Sequence, residues 1–179
     1  AKNIATKESL AIERIRHAGA IFIGKTNTPE FGLGSQTYNT VFGTTRNAYN
    51  PSLCAGGSSG GAAVGLAAQL LPVADGSDMM GSLRNPAAFN NVIGFRPTKG
   101  RVPGADENSK LFFDQLATDG PMGRDVTDTI KLLTTMAGFD AREPLSLQDT
   151  LPRAESFVPT TLEDGVRIGW MGDYSGYLA

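Results

Sequence analysis

GGSSGGAAVGLAAQLLPVADGSDMMGSLRNPAAFNNVIGFRP, residues 56–97, joins two glycine-rich loops through one apolar segment. Ser58 lies in the first loop and Ser82 closes the second. Residues 61–70 are almost wholly small and apolar, without a polar face, so they predict a helix buried all round. Residues 71–74 form a brief apolar run that predicts a central strand. A unit of this kind mounts two hydroxyls and two backbone turns on one rigid support, as a catalytic site requires.

Outward from this stretch, the N-terminal side predicts a helix from Thr6 to about residue 18, with Ala11, Ile12, Ile15 and Ala18 on one face and Gly19 as its stop. Residues 20–23 then predict a buried strand, giving a helix–strand unit of an α/β sheet. Residues 29–55 contain Gly32, Gly34, Gly43, Asn47, Asn50 and Pro51 and read as one long irregular segment. Such segments inside a domain commonly form active-site walls. On the C-terminal side, residues 98–104 are a turn-rich exit. Residues 105–120 read as a polar surface excursion around Phe112-Phe113. Asp125 caps a helix with Val126, Ile130, Leu133 and Ala137 inward and Gly138 at its end. Residues 139–164 are linker-like, and residues 166–170 alternate as a strand does. The expected fold is therefore α/β in one domain, residues 1–179, with its core motif at 56–104.

Bulk properties narrow the function. The 179 residues carry a formal net charge of −2 with basic residues scattered, so no footprint for nucleic acid or an anionic membrane is expected. No apolar run approaches the ~18 residues of a membrane span. Cys54 is the single cysteine, which gives neither a disulfide framework nor a thiolate metal cluster and points to a reducing, cytoplasmic setting. No cofactor or metal is expected.

Two short motifs need weighing. Residues 19–26, GAIFIGKT, satisfy G-x-x-x-x-G-K-[ST], but the four central residues favour a strand, and Thr28-Pro29 disfavours helix entry at Lys25. A strand and a polar turn at Lys25-Thr26-Asn27 is the better reading. Gly57-Ser58-Ser59-Gly60-Gly61 satisfies G-x-S-x-G, with Ser59 as nucleophile. That elbow needs an acid and then a histidine downstream. The single histidine, His17, lies upstream, on a polar helix face one turn after Glu13, where a solvated pair is expected. A serine can also be activated by a neutral lysine through a relay hydroxyl. The two loops offer a nucleophile, a relay and the backbone N–H groups of residues 79–82 as an oxyanion hole.

GGSSGG, GSDMMGSLRNPAAF and GFRPTKGRVP together resemble the amidase signature family, and the resemblance extends to AGAIFIGKTNTPEFG before them and DGPMGRDVTDTIKLLTTMAG after them. It implies a mixed sheet covered by helices and amide hydrolysis through a Ser–cis-Ser–Lys triad. Carried over by position, Ser82 is the nucleophile and Ser58 the relay serine that follows a cis peptide bond. Ser59 supports the hydrogen-bond network. Met79, Met80, Gly81 and Ser82 supply the oxyanion hole, and Asp78 and Arg84 brace the loop, more as a structural ion pair than as chemistry. Met80 departs from the family's usual glycine and would be strained if that position needs φ > 0. The family's catalytic lysine has no counterpart here. Lys2, Lys7 and Lys25 fall in the wrong places, and the resemblance puts the base ahead of Ala1.

The expectation is an internal fragment, incomplete at both ends, of an amidase that acts on a small-molecule amide. Two alternatives stand beside it. One is the glutamine-hydrolysing component of a transfer-RNA amidotransferase. Asn90-Asn91, Arg96 and Pro103 argue against it, since that branch tends to carry Cys-Gly, Lys and Ser there. The other is an inactive truncated chain without its base. Homo-oligomerisation is left open.

Overall fold

A computed structural model describes residues 4, 6–104, 115–157, 165–167 and 169. In chain order the helices are α1 (Leu10–His17), α2 (Gly60–Ala67), α3 (Arg84–Phe89) and α4 (Val126–Met136). The strands are β1 (Tyr38–Asn39), β2 (Gly43–Thr44), β3 (Val73–Asp78), β4 (Ile93–Gly94) and β5 (Thr118–Gly123). β1 and β2 form a small hairpin, and a three-stranded sheet runs β3-β5-β4 with antiparallel pairing throughout. Sheet and covering helices combine as an α/β fold.

The register of the sheet follows from side-chain alternation. Ala74 and Met122 turn to one face, where Ala62, Ala63 and Leu66 of α2 meet Leu83 and Ala87. Val73 turns to the other face, against Ala11 and Ile15 of α1, Leu132 and Met136 of α4, and Val102. Two apolar cores thus sandwich the sheet. α1 is fastened to α4 by Arg14, whose guanidinium donates to the carbonyl oxygens of Met136 (2.8 Å), Gly138 (3.0 Å) and Phe139 (3.1 Å). A cation there satisfies carbonyls that a helix end leaves unpaired.

The apolar helix forms as expected but stops at Ala67, because Gln69 adopts φ 59° and turns the chain out, leaving Leu70 exposed. The following strand starts later than its apolar run. Pro72 has no N–H for a ladder, and β3 runs through Gly76 to Asp78. Gly76 is required there: a Cβ would lie 2.6 Å from Ser59 Oγ and 2.8 Å from Leu83 Cδ2. α1 begins at Leu10, not near Thr6, and buries Leu10, Ala11 and Ile15, while Ala18 is exposed.

Four further expectations are corrected. Residues 20–23 form no strand, and Ile21 and Ile23 stand 88% and 73% exposed, with no described strand alongside them. Residues 118–120, expected in a surface excursion, open β5, the central strand. Its sequence TDGPMG hides it, since Asp, Gly and Pro are depleted in strands. Close packing selects it instead: a Cβ on Gly120 would lie 2.4 Å from the Phe95 carbonyl oxygen. α4 has its Asp125 cap, whose side chain accepts from Asp128 N–H. Its inward face is Thr129, Leu132 and Met136, not the face through Val126, because Thr129 seats against Gly123 at the end of β5. His17 is exposed, and Glu13 faces Arg142 at 3.8 Å in place of the expected partner. Phe112-Phe113 and most of the strand expected at 166–170 lie outside the described residues. The long irregular reading of 29–55 holds, interrupted by a 3₁₀ turn at Glu30–Gly32, the two short strands and an isolated bridge between Arg46 and Cys54. No helix starts at Lys25, so that motif lacks the helix that a phosphate loop requires.

Leu66 is fully buried between α2 and the sheet. Leu66→Ala should lower unfolding free energy by about 2–5 kcal/mol in urea titration, whereas Leu70→Ala, at an exposed position, should stay within about 0.5 kcal/mol of the parent. Equal effects would contradict this core assignment.

Candidate active site

The site is built where β3 ends and α2 begins. β3 delivers Asp78 to the bottom of the core, where its side chain is fully buried. Gly81 follows at φ 116°, so the positive-φ position belongs to glycine, and Met80 escapes the strain considered above. Met80 instead stands 86% exposed. Ser82 and Leu83 then lead into α3.

Asp78 organises this turn. Its Oδ1 accepts from Gly81 N–H (2.7 Å), Arg84 Nη2 (3.0 Å) and Arg96 Nη1 (2.7 Å). Its Oδ2 accepts from Leu83 N–H (3.2 Å) and Arg84 Nε (2.9 Å). Burial pushes the carboxyl upward, but the hydrogen bonds from Arg84, Arg96, Gly81 and Leu83 outweigh it and hold the group well below the usual carboxylate range. The expected Asp78–Arg84 ion pair therefore forms. Arg96, considered in the sequence only as a branch marker, completes it. Its guanidinium also donates to the carbonyls of Met79 (3.0 Å) and Leu116 (2.6 Å).

The glycine-rich loop approaches from the other side. The Gly57–Ser58 peptide bond is cis, as the resemblance implies. Ser58 and Ser59 are both buried, and Ser82 is partly so. The two loops meet through Ser59 N–H, which donates to the Ser82 carbonyl at 3.2 Å. Ser59 Oγ donates to the Ser77 carbonyl at 3.5 Å. Thr37, from the irregular segment, is buried beneath the loop. Its hydroxyl donates to Gly56 O (2.8 Å), lies 3.3 Å from Ser58 O, and accepts from Gly60 N–H at 3.1 Å. Asn90 is fully buried and ties the wall to α3, donating to Ala55 O (2.8 Å) and Pro86 O (2.9 Å) and accepting from Ala48 N–H (3.0 Å).

Of the four residues expected to line an oxyanion hole, Gly81 has its N–H engaged within the turn. That N–H donates to Asp78 Oδ1 at 2.7 Å. Thr37, Asn90 and the bracing part of Arg96 were missed. A lone threonine or asparagine in a loop carries no periodic signal, and their partners are up to 42 residues away. Of the lysines, Lys25 is exposed, Lys99 donates to the Ala117 carbonyl at 3.1 Å, and Lys131 pairs with Asp128 at 3.7 Å. None of these three is assigned as a base. Among the described residues, no group of three or more His, Cys, Asp or Glu side chains could hold a metal ion, and no helix is long and apolar enough to cross a membrane.

Comparison with known proteins identifies what the chain is similar to. The Amidase family model matches residues 1–177. An acylamidase of Rhodococcus erythropolis is 42% identical over 173 residues, covering 95% of this chain and 35% of the relative. The A subunit of the glutamyl-tRNA(Gln) amidotransferase of Coxiella burnetii (strain Dugway 5J108-111) is 39% identical over 173 residues, covering 97% of this chain and 35% of the relative. Among solved structures, a bacterial aryl acylamidase of the amidase signature enzymes superposes with TM-score 0.78 at 39% identity, over 84% of this chain and 31% of that one. The chain thus spans about a third of the length of these relatives.

Because Asp78 is held below its unfolded value of about 3.9, its stabilisation is complete above that pH and is lost as pH falls through it toward the folded value. Asp78→Ala should cost about 3 kcal/mol at pH 7, because it removes five hydrogen bonds and leaves the buried N–H of Leu83 unpaired. In urea titrations the gap to the parent should shrink as pH is lowered below about 4. A gap that does not change with pH would contradict the assignment.

Proposed function

The chain belongs to the amidase family, and we propose that it carries the acyl-transfer centre of an enzyme that hydrolyses linear amides. The observation that carries this reading is the hydrogen bond from Ser59 N–H to the Ser82 carbonyl, 3.2 Å long, which fastens the relay loop to the nucleophile turn. Two hydroxyl-bearing segments are held together at the end of one strand, on a turn fixed by a buried carboxylate.

In this reading Ser82 Oγ attacks the amide carbonyl. Its proton passes to Ser58 and onward to a base, which the family supplies as a lysine. The N–H groups of Met79, Met80 and Ser82 stabilise the tetrahedral oxyanion. The C–N bond breaks as the leaving nitrogen takes a proton, releasing ammonia or amine and leaving the acyl group on Ser82. Water then attacks the ester, and the carboxylic acid leaves with Ser82 restored. Asp78, Arg84 and Arg96 pair with one another and with the turn, and act through the loop they brace. Met79 and Met80, being flexible and exposed, would line the acyl side with adaptable apolar surface. A small-molecule amide acted on in the cytoplasm is the setting that the near-neutral charge and the single cysteine support.

A second reading is favoured by one observation, the 39% identity to the amidotransferase relative. Here the same centre would hydrolyse glutamine and pass on ammonia. Asn90, locked by three hydrogen bonds, stands where that branch tends to carry cysteine, which keeps the simple amidase as the first reading.

Turnover of 4-nitroacetanilide, read as nitroaniline release, and of glutamine, read as ammonia, separates the two. Ser82→Ala should lower kcat by at least ~10³-fold, and Ser58→Ala by ~10²–10³-fold, since residues that act as a unit fail together. Ser52→Ala, at an exposed turn, should leave turnover unchanged. Persistence of activity in Ser82→Ala would overturn the reading. Turnover of glutamine alone would move it to the second.

A further inference from the structure

Asn85 is a residue that neither the sequence motif nor the family's triad assigns. It sits in the first turn of α3, three residues after Ser82, and its side chain reaches back across to the glycine-rich loop. Asn85 Nδ2 donates to the Gly57 carbonyl at 3.0 Å, and Asn85 Oδ1 accepts from the Gly57 N–H at 3.1 Å. One amide therefore pairs both backbone polar groups of the residue that precedes Ser58. Only one orientation of the amide does this, because a flip would set donor against donor and acceptor against acceptor. The main chain of Asn85 is equally fixed, its N–H donating to the Gly81 carbonyl at 2.7 Å.

The glycine-rich loop lies directly on this side chain. A Cβ on Gly56, which has φ 72°, would fall 2.4 Å from Asn85 Oδ1 and 2.9 Å from Pro86 Cα. The loop and the α3 turn are thus in contact with no room for an intervening atom.

We propose that Asn85 is a positioning residue for the reaction, setting the distance and angle between Ser58 and Ser82 by clamping Gly57 to the nucleophile's own turn. The inference rests on the serine assignments proposed above. The Ser59–Ser82 contact joins the loops on one side, and the Asn85 clamp joins them at the residue before the relay, so the two together remove the freedom of one loop to swing about the other. Asn85 has both polar atoms of its side chain taken up by Gly57. Its effect falls on the chemical step, where a misplacement of about 1 Å costs ~100-fold, and not on substrate affinity.

The test is steady-state kinetics on the anilide above, with the thermal midpoint recorded for every variant. Asn85→Leu removes both hydrogen bonds and should lower kcat about 100-fold with KM within about threefold. Asn85→Asp keeps the acceptor for Gly57 N–H and sets a carboxylate oxygen against the Gly57 carbonyl. Protonation restores a donor there. The ratio of Asn85→Asp to parent kcat should therefore rise as pH falls from 8 to 5, a readout that a helix-stabilising role would not move. A pH-independent ratio, or an Asn85→Leu enzyme with parental kcat, would overturn the clamp while leaving the serine assignments standing. If Asn85→Leu does not fold, the Asn85→Asp pH ratio decides alone. Activity surviving in Ser82→Ala would overturn the serine assignments and the clamp with them.

Discussion

A buried carboxylate is costly unless its oxygens are filled, and Asp78 is filled by five hydrogen bonds. The sources of those bonds give the site its shape. Two are backbone N–H groups of the turn itself, at Gly81 and Leu83, and they curl the chain so that Ser82 sits between them. The others come from Arg84 on α3 and Arg96 beyond β4. One side chain at the end of one strand therefore fixes a turn, a helix entry and the strand exit on the far side of the sheet.

The second constraint is clearance. α2 and the glycine-rich loop can reach Ser82 only because glycine stands where the backbones cross. Gly76 on β3 leaves space for Ser59 and Leu83, and Gly57 lies where a Cβ would fall 2.8 Å from Gln36 main chain. Close approach then makes short polar contacts available, and Thr37, Asn85 and Asn90 take them. Packing and hydrogen bonding are in this sense one device. The small residues bring the main chains near, and the threonine and two asparagines pair the polar groups that nearness would otherwise strand.

The central unit was legible because its signals are local: an apolar run with no polar face for α2, an Asp cap for α4, and a long motif whose serines and acid recur at fixed spacing. β5 was not, since TDGPMG carries no strand preference and owes its place to neighbours on both sides. The exposed residues 20–23 err the other way, an apolar run with a strand's composition and no described partner. The inward face of α4 missed by one residue, because contact with Gly123 selects it and periodicity alone does not. The polar clamps were invisible for the same reason as β5. Gly57 and Asn85 are 28 residues apart, and nothing in either local sequence announces the other.

The account stands or falls on which hydroxyl becomes acylated. The sequence offers two serines with nucleophile signatures, Ser59 in G-x-S-x-G and Ser82 in the turn braced by Asp78. The protein treated with a fluorophosphonate and mapped by peptide mass spectrometry should carry the adduct on Ser82, with Ser59 unmodified. An adduct on Ser59 with Ser82 intact would contradict the account, placing the chemistry at the start of α2 and leaving the Asp78 turn a structural brace alone.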